Sequence, residues 1–200
     1  MKAFMDLHTH SLAAGHAYST LLENIDAALA VGIRYLGMSE HGPISPGGPH
    51  EFFFSNYKVI PREYDREEVS GRVVPVTGGR LHLLCGVEAN ICDTDGKLDL
   101  EERYLQKMDY ALASIHPFAF TAGSRKENTL ASVRAFQNPY VKILGHPDDG
   151  RFPLDYEELV REAKQAHVAL EVNNSSLAEN GAVSLWTKGD NACRMWKAES

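Results

Sequence analysis

Cysteine is scarce in this chain and badly spaced for structural work. Cys85, Cys92 and Cys193 are the three in 200 residues, with no Cys-x-x-C pair, which argues against a thiolate zinc site and a disulfide framework. Positive charge is also in deficit: 20 Lys and Arg face 27 Asp and Glu, for a formal net charge of -7. That balance argues against a surface built to coat nucleic acid. It does not exclude anionic substrates, because bound metal ions dominate the field of their own site. No run approaches the length of an apolar membrane span, and the start MKAFMDLHTH has no signal-peptide core, so neither a span nor a leader is expected. There is no internal repeat, low-complexity tract or linker. A single soluble, cytoplasmic domain over residues 1–200 is the expectation, with 44% hydrophobic residues to bury.

What is present is a rhythm. The strand candidates are Ala3–His8, Tyr35–Glu40, Leu81–Asn90, Tyr110–Ile115, Val141–Gly145 and Val168–Asn173. Readable helices lie between them. Thr20 and Glu23 form a capping box before LLENIDAALA, and Gly32 closes that helix. KENTLASVRAF stops before Asn138–Pro139, and Asp155 with Glu158 repeats the box before YEELVREAKQ. Strands alternating with helices imply βα units and a largely parallel sheet or barrel. Residues 51–79 break this rhythm as a long excursion, with a small helix expected at Glu63–Val69.

Nine histidines are also present, and their positions are informative. His8 and His10 lie one strand repeat apart, so both point to the same face and can close on one ion. His16 follows in AGHAYSTL; His41 ends the second strand in SEHGP; Glu88 ends the third in GVEANI. The fourth strand delivers His116 in ASIHP, the fifth His146 in LGHPDD, and the sixth Asn173 and Asn174 in LEVNNSS. Every strand thus places a polar or metal-capable group at its carboxyl end, where open α/β and barrel proteins build sites. His82 shares Glu88's face but lies about 20 Å back along the strand, and His167 precedes its strand, so both read as structural. His50 falls in the excursion and reads as a solvated loop residue.

Together DLHTHS, SEHGP, GVEANI, ASIHP, LGHP and LEVNNSS resemble the PHP (polymerase and histidinol phosphatase) family, and most nearly its small YcdX-type phosphatases, over about residues 2–195. The resemblance implies an α/β fold, a distorted (β/α) barrel, and up to three divalent ions, zinc or manganese. It implies hydrolysis of phosphomonoesters by a metal-activated water, with no side-chain nucleophile. Carried over by position, His8 and His10 hold one ion, and Glu88 bridges it to a second that also takes His116 and His146. His16 and His41 hold the third. Imidazole and carboxylate donors suit zinc, and a carboxylate bridge keeps paired ions about 3.5–4 Å apart.

One departure is large. The family's last barrel strand carries an Asp and a His, whereas this sequence ends RMWKAES with no later Asp-x-His. The expectation is therefore a barrel incomplete at its C-terminus, with the seventh strand missing. A homo-oligomer covering the open edge is one consequence, and Asp148, Asp149 or Asp190 is the candidate stand-in for the lost ligands. Glu40, where the family usually has Asp, is a smaller change.

Substrate choice is less clearly written. Arg125 and Lys126 after the fourth strand and Arg62 in IPRE are candidate phosphate contacts, with a solvated surface charge as the competing reading for each. Asn173 and Asn174 either orient a ligand or satisfy loop backbone. The partner expected is a small phosphorylated molecule, with no nucleic acid and no membrane. Two rival readings remain. An amidohydrolase also begins with His-x-His but needs a bridging lysine where this chain has Ile115–His116. A degenerate PHP protein would bind metal without turnover.

Overall fold

The computed structural model describes residues 4–65 and 80–173. They fall into two compact units: residues through Asn90 with Asp99–Leu112, and Ile91–Leu98 with the chain from Ala113 onward.

In the first unit, β1 (Met5–Thr9), β2 (Tyr35–His41) and β4 (Leu81–Asn90) lie in the order β1-β2-β4 and pair in parallel. The crossover from β1 to β2 contains α1 (Leu21–Val31). Its start is fixed as the sequence predicts: the Thr20 side chain accepts from the Glu23 N–H while Glu23 reaches back to Thr20. Gly32, at φ 87, closes it, a conformation that only glycine enters cheaply. Ile25, Ala28 and Leu29 form the buried stripe of α1.

The excursion does not open with the expected helix. Glu63–Tyr64 is a short strand, β3, antiparallel to β4, with Glu63 opposite His82 and Tyr64 opposite Leu81. The backbone there finds partners on the free side of β4, and ladder bonds outweigh the local helical pattern of IPREYDREE. The remainder of the predicted helix lies outside the described residues. A short helix, α2 (Phe52–Ser55), precedes β3 and buries Phe54; α3 (Glu102–Leu105) follows β4 and buries Leu105.

β5 (Tyr110–Ser114) runs from the first unit into the second. In the second, β6 (Val141–Leu144) and β7 (Ala169–Leu170) pair in parallel, with α4 (Arg125–Ala135) and α5 (Tyr156–Ala166) as crossovers. Ser124 and Glu127 form a capping box on α4 that the sequence reading passed over. Asp155 caps α5 through the Glu158 N–H at 3.1 Å. All six strand candidates therefore contain strands, the last of them shortened to Ala169–Leu170.

One side chain ties the first unit together. Tyr110 at the head of β5 donates its hydroxyl to the Leu7 carbonyl on β1 at 2.6 Å. Its ring lies against Gly86, where a Cβ would meet the ring carbons at 2.6–2.9 Å, and its hydroxyl lies against Gly37, where a Cβ would also come 2.8 Å from the Leu7 Cα. Those glycines are needed for close approach. Gly86→Ala is expected to destabilise the protein by about 1–3 kcal/mol through overpacking. Tyr110→Phe should cost about 1–2 kcal/mol by stripping the Leu7 carbonyl of its donor. Denaturant titration checks both, and an unchanged midpoint for Gly86→Ala would contradict the slot.

Candidate metal centre

The strand ends of the first unit converge. His41 ends β2 and stands in register with Glu88 on β4, so both side chains leave the sheet on one face. His8 near the end of β1 and His10 just beyond it reach the same place by the parity of the strand. Glu88 is 1% exposed, yet its Oε2 has three imidazole nitrogens around it. His41 Nδ1 is 2.8 Å away, His8 Nε2 3.2 Å and His10 Nε2 3.3 Å. His16, brought in by the β1–α1 loop, joins the same stack of rings. Its centroid lies 5.0 Å from that of His10 and 4.8 Å from that of His41, and His10 and His41 are 4.5 Å apart.

The loop that carries His10 and His16 is anchored behind the cluster. The Ser11 N–H donates to both Glu40 carboxylate oxygens at 3.1 Å, and the Ser11 hydroxyl donates to Glu40 Oε1 as well. Glu40 is fully buried, so the longer side chain at this position still has a defined use. Asn24 on α1 donates to the His10 carbonyl at 2.8 Å, fixing the same turn from the helix side.

These residues fit a divalent cation. A carboxylate out of water is costly unless a positive charge or donors compensate it. Three ring nitrogens aimed at one oxygen exceed the lone pairs it can offer to hydrogen bonds. His10 Nδ1 has no hydrogen-bond partner among the described residues. Burial pushes the His10 imidazole below its ordinary value, against the opposing pull of Glu88, so the ring is neutral at pH 7 with a lone pair to offer. Within the first unit, His8–His10–Glu88 and His10–His16–His41 form donor groups with ligand atoms within 4.8 Å of one another. Imidazole nitrogen with carboxylate oxygen is a zinc-type donor set.

The second unit brings His116 and His146 together, their Nε2 atoms 3.2 Å apart. The Phe118 ring stacks on His116 at 5.0 Å and 10°, shielding one face of the imidazole. Of the proposed stand-in ligands, Asp149 is already engaged: Arg151 holds both its oxygens at 2.7–3.0 Å. Burial pushes its carboxyl up, but the Arg151 hydrogen bonds outweigh this and leave it below the usual carboxylate value. Asp148, 2% exposed, accepts from the Asn173 N–H at 3.3 Å. Asp190 and Asn174 lie outside the described residues, as does the RMWKAES ending.

The candidate phosphate contacts separate. Arg62 lies at the wrong end of its strand: its carbonyl accepts from the Leu83 N–H at the start of β4, about 17 Å along the strand from Glu88. Its guanidinium pairs with Asp109 at 2.5 Å, and Asp109 also accepts from the Cys85 N–H at 2.6 Å. Arg125 and Lys126 are exposed in the first turn of α4. His82 stacks on Tyr35 at the start of β4 and faces Glu63, away from the cluster as the strand count predicts. His167 is the left-handed C-cap of α5, and His50 accepts from the Phe52 N–H in a turn. Burial pushes the Cys85 thiol up to about 11, which keeps it protonated and unreactive. Ser11 and Glu171 (whose carboxylate accepts from the His146 N–H at 2.6 Å) are the residues that sequence reasoning missed, and Glu40 was read only as a change from Asp, without its partner Ser11. Only the tertiary partners reveal them.

No family model matches the chain. Curated relatives do. A probable phosphatase of Clostridium novyi is 43% identical over 176 residues, covering 88% of this chain and 66% of the relative. A probable phosphatase of Clostridium botulinum is 40% identical over 198 residues, covering 98% of this chain and 76% of the relative. The chain thus spans about two thirds to three quarters of the length of the curated relatives it matches. Among solved structures, histidinol phosphate phosphatase from Lactococcus lactis, complexed with zinc, L-histidinol and phosphate, matches with a TM-score of 0.51 at 17% identity. The match covers 86% of this chain and 73% of that one. The structural likeness establishes the α/β fold of that PHP-type neighbour. The chain belongs to the family of probable phosphatases that the clostridial relatives represent.

If Glu88 is the anion around which the imidazoles gather, Glu88→Ala should lower zinc bound per chain and weaken the remaining affinity at least tenfold. Elemental analysis and a competitive zinc titration measure this. Unchanged metal content would remove Glu88 from the centre.

Proposed function

We propose that this chain forms the metal-binding part of a YcdX-type PHP phosphatase that hydrolyses small phosphomonoesters. The observation that carries the reading is the convergence of His8, His10 and His41 on the buried carboxylate of Glu88. The family membership agrees with it, and so does the chemistry named for the L. lactis neighbour, which binds zinc and phosphate. In this reading His8, His10, His16, His41 and Glu88 hold up to two divalent ions, and His116 with His146 contributes to a further one, zinc or manganese in each case. Bound there, such ions supply Lewis-acid polarisation of a phosphoryl oxygen and an acidified water near neutral pH.

The side chains do the positioning. Burial keeps His10 deprotonated. Ser11 and Glu40 fix the turn between His10 and His16. Phe118 covers one face of His116 and limits water there. Cys85 is buried and protonated, and Ser11 is spent on Glu40, so neither is offered as a nucleophile. Arg125 and Lys126, at the start of α4, remain the proposed contacts for substrate phosphate; Arg62 is assigned to structure.

Two measurements test this. Hydrolysis of a panel of phosphomonoesters should vanish in strong chelator and return with added zinc or manganese; undiminished turnover in chelator would sink the reading. Metal bound without turnover on any phosphomonoester would favour the degenerate alternative. Separately, Arg62→Ala should leave KM unchanged while lowering stability by no more than about 1 kcal/mol, since its ion pair with Asp109 is solvent-screened and Asp109 keeps the Cys85 N–H. A large rise in KM would return Arg62 to the substrate site.

A further inference from the structure

His146 is one of two non-glycine residues of the described chain with positive φ, at 29°. The other, His167, is a helix cap. A side chain held in such backbone costs about 1–3 kcal/mol and persists only where its surroundings over-determine it. The surroundings of His146 do so. The Gly145 N–H donates to the Ala113 carbonyl at 3.0 Å, and the His146 carbonyl accepts from the Asp149 N–H at 3.0 Å. The remaining group, the His146 N–H, donates to Glu171 Oε2 at 2.6 Å.

Glu171 is well placed for this. Its own N–H donates to the Leu144 carbonyl at 3.0 Å, extending the parallel β6–β7 ladder beyond the Leu144–Leu170 pair. The residue therefore stands beside the point where the chain leaves β6 and turns into His146. A hydrogen bond from a backbone N–H to an ionised carboxylate is short and roughly twice as strong as a neutral one, enough to offset much of the strain. With φ so turned, the His146 ring meets His116, Nε2 to Nε2 at 3.2 Å. Rotation of φ toward the relaxed region swings Cβ and the ring away from His116.

We propose that Glu171 is a positioning residue: it grips the backbone N–H of His146 and thereby aims the imidazole at the point it shares with His116. The inference rests on the reading of the two histidines as metal donors. Glu171 acts through the main chain, which separates it from the familiar case of a carboxylate bonded to the far ring nitrogen of a ligand histidine.

The test is a competitive zinc titration of the intact chain, with cobalt absorption as a second readout. Glu171→Ala should weaken the affected site by about 10–100-fold, the range for groups that orient ligands. Glu171→Asp keeps the charge but loses the reach and should behave like Glu171→Ala. Glu171→Gln keeps an acceptor oxygen at the same length but loses the charge, so it should recover part of the lost affinity and the wild-type cobalt spectrum. In a His146→Ala background the Glu171→Ala change should cost no further affinity. The proposal is overturned if Glu171→Ala and Glu171→Asp bind zinc as tightly as wild type, or if Glu171→Gln falls as far as they do, which would make the carboxylate a direct ligand. An equal loss in the His146→Ala background would also overturn it, as a general structural effect. A wild-type chain that shows this pattern but hydrolyses no phosphomonoester leaves the positioning role standing and fails the phosphatase reading alone.

Discussion

The first unit is organised around one buried anion. Glu88 sits at 1% exposure in the middle of a sheet's end, where an ionised carboxylate without compensation would cost several kcal/mol. Compensation comes from the His8, His10 and His41 nitrogens within 3.3 Å. Neutral imidazoles offer only one donor each, and burial keeps His10 neutral, so hydrogen bonding alone is a thin answer to that charge. A cation shared by carboxylate and imidazoles answers it fully. The fold therefore gathers a donor set whose natural complement is a divalent ion.

Much of this was legible in the sequence because it depends on strand parity. His8 and His10 are two apart, His41 and Glu88 end neighbouring strands, and parallel pairing of β2 with β4 sets the latter two opposite each other. Distance excluded His82, which shares Glu88's parity, since rise along a strand is fixed at about 3.3 Å per residue. The helix caps were readable for a similar reason: Thr20–Glu23 is a local bond pattern, decided within one turn.

What failed to show was decided by partners far away in sequence. Arg62 looks like any candidate phosphate contact until Asp109, 47 residues on, takes its guanidinium. The IPREYDREE stretch looks helical until β4 offers a ladder to Glu63–Tyr64. Glu171 is an ordinary strand-end glutamate until its carboxylate is found on the His146 N–H, 25 residues back. Ser11 and Glu40 belong to the same class, with a pairing that spans 29 residues. Local pattern announces the donors of a site; it is silent on the groups that aim them.

The glycine slot explains how the aiming survives in the first unit. Gly37 shares parity with Ser39 and His41 along β2, and Gly86 shares parity with Glu88 along β4, so the slot and the cluster occupy one face. Tyr110 fills that slot one strand repeat below Glu88, about 7 Å away, and its hydroxyl is bonded to the Leu7 carbonyl beside His8. Because side chains alternate with a period of two, a slip of one residue in β2 or β4 would turn His41 or Glu88 to the opposite face. The same slip would bring a Cys85 or Val87 side chain, or a Leu36 or Met38 side chain, to the place of a glycine against Tyr110. The large residue accepted only by two glycines thus makes the wrong register sterically expensive. Register, and with it the convergence of the donors, is enforced by packing just beneath the site rather than by the donors themselves, whose mutual approach favours repulsion or desolvation until a cation joins them.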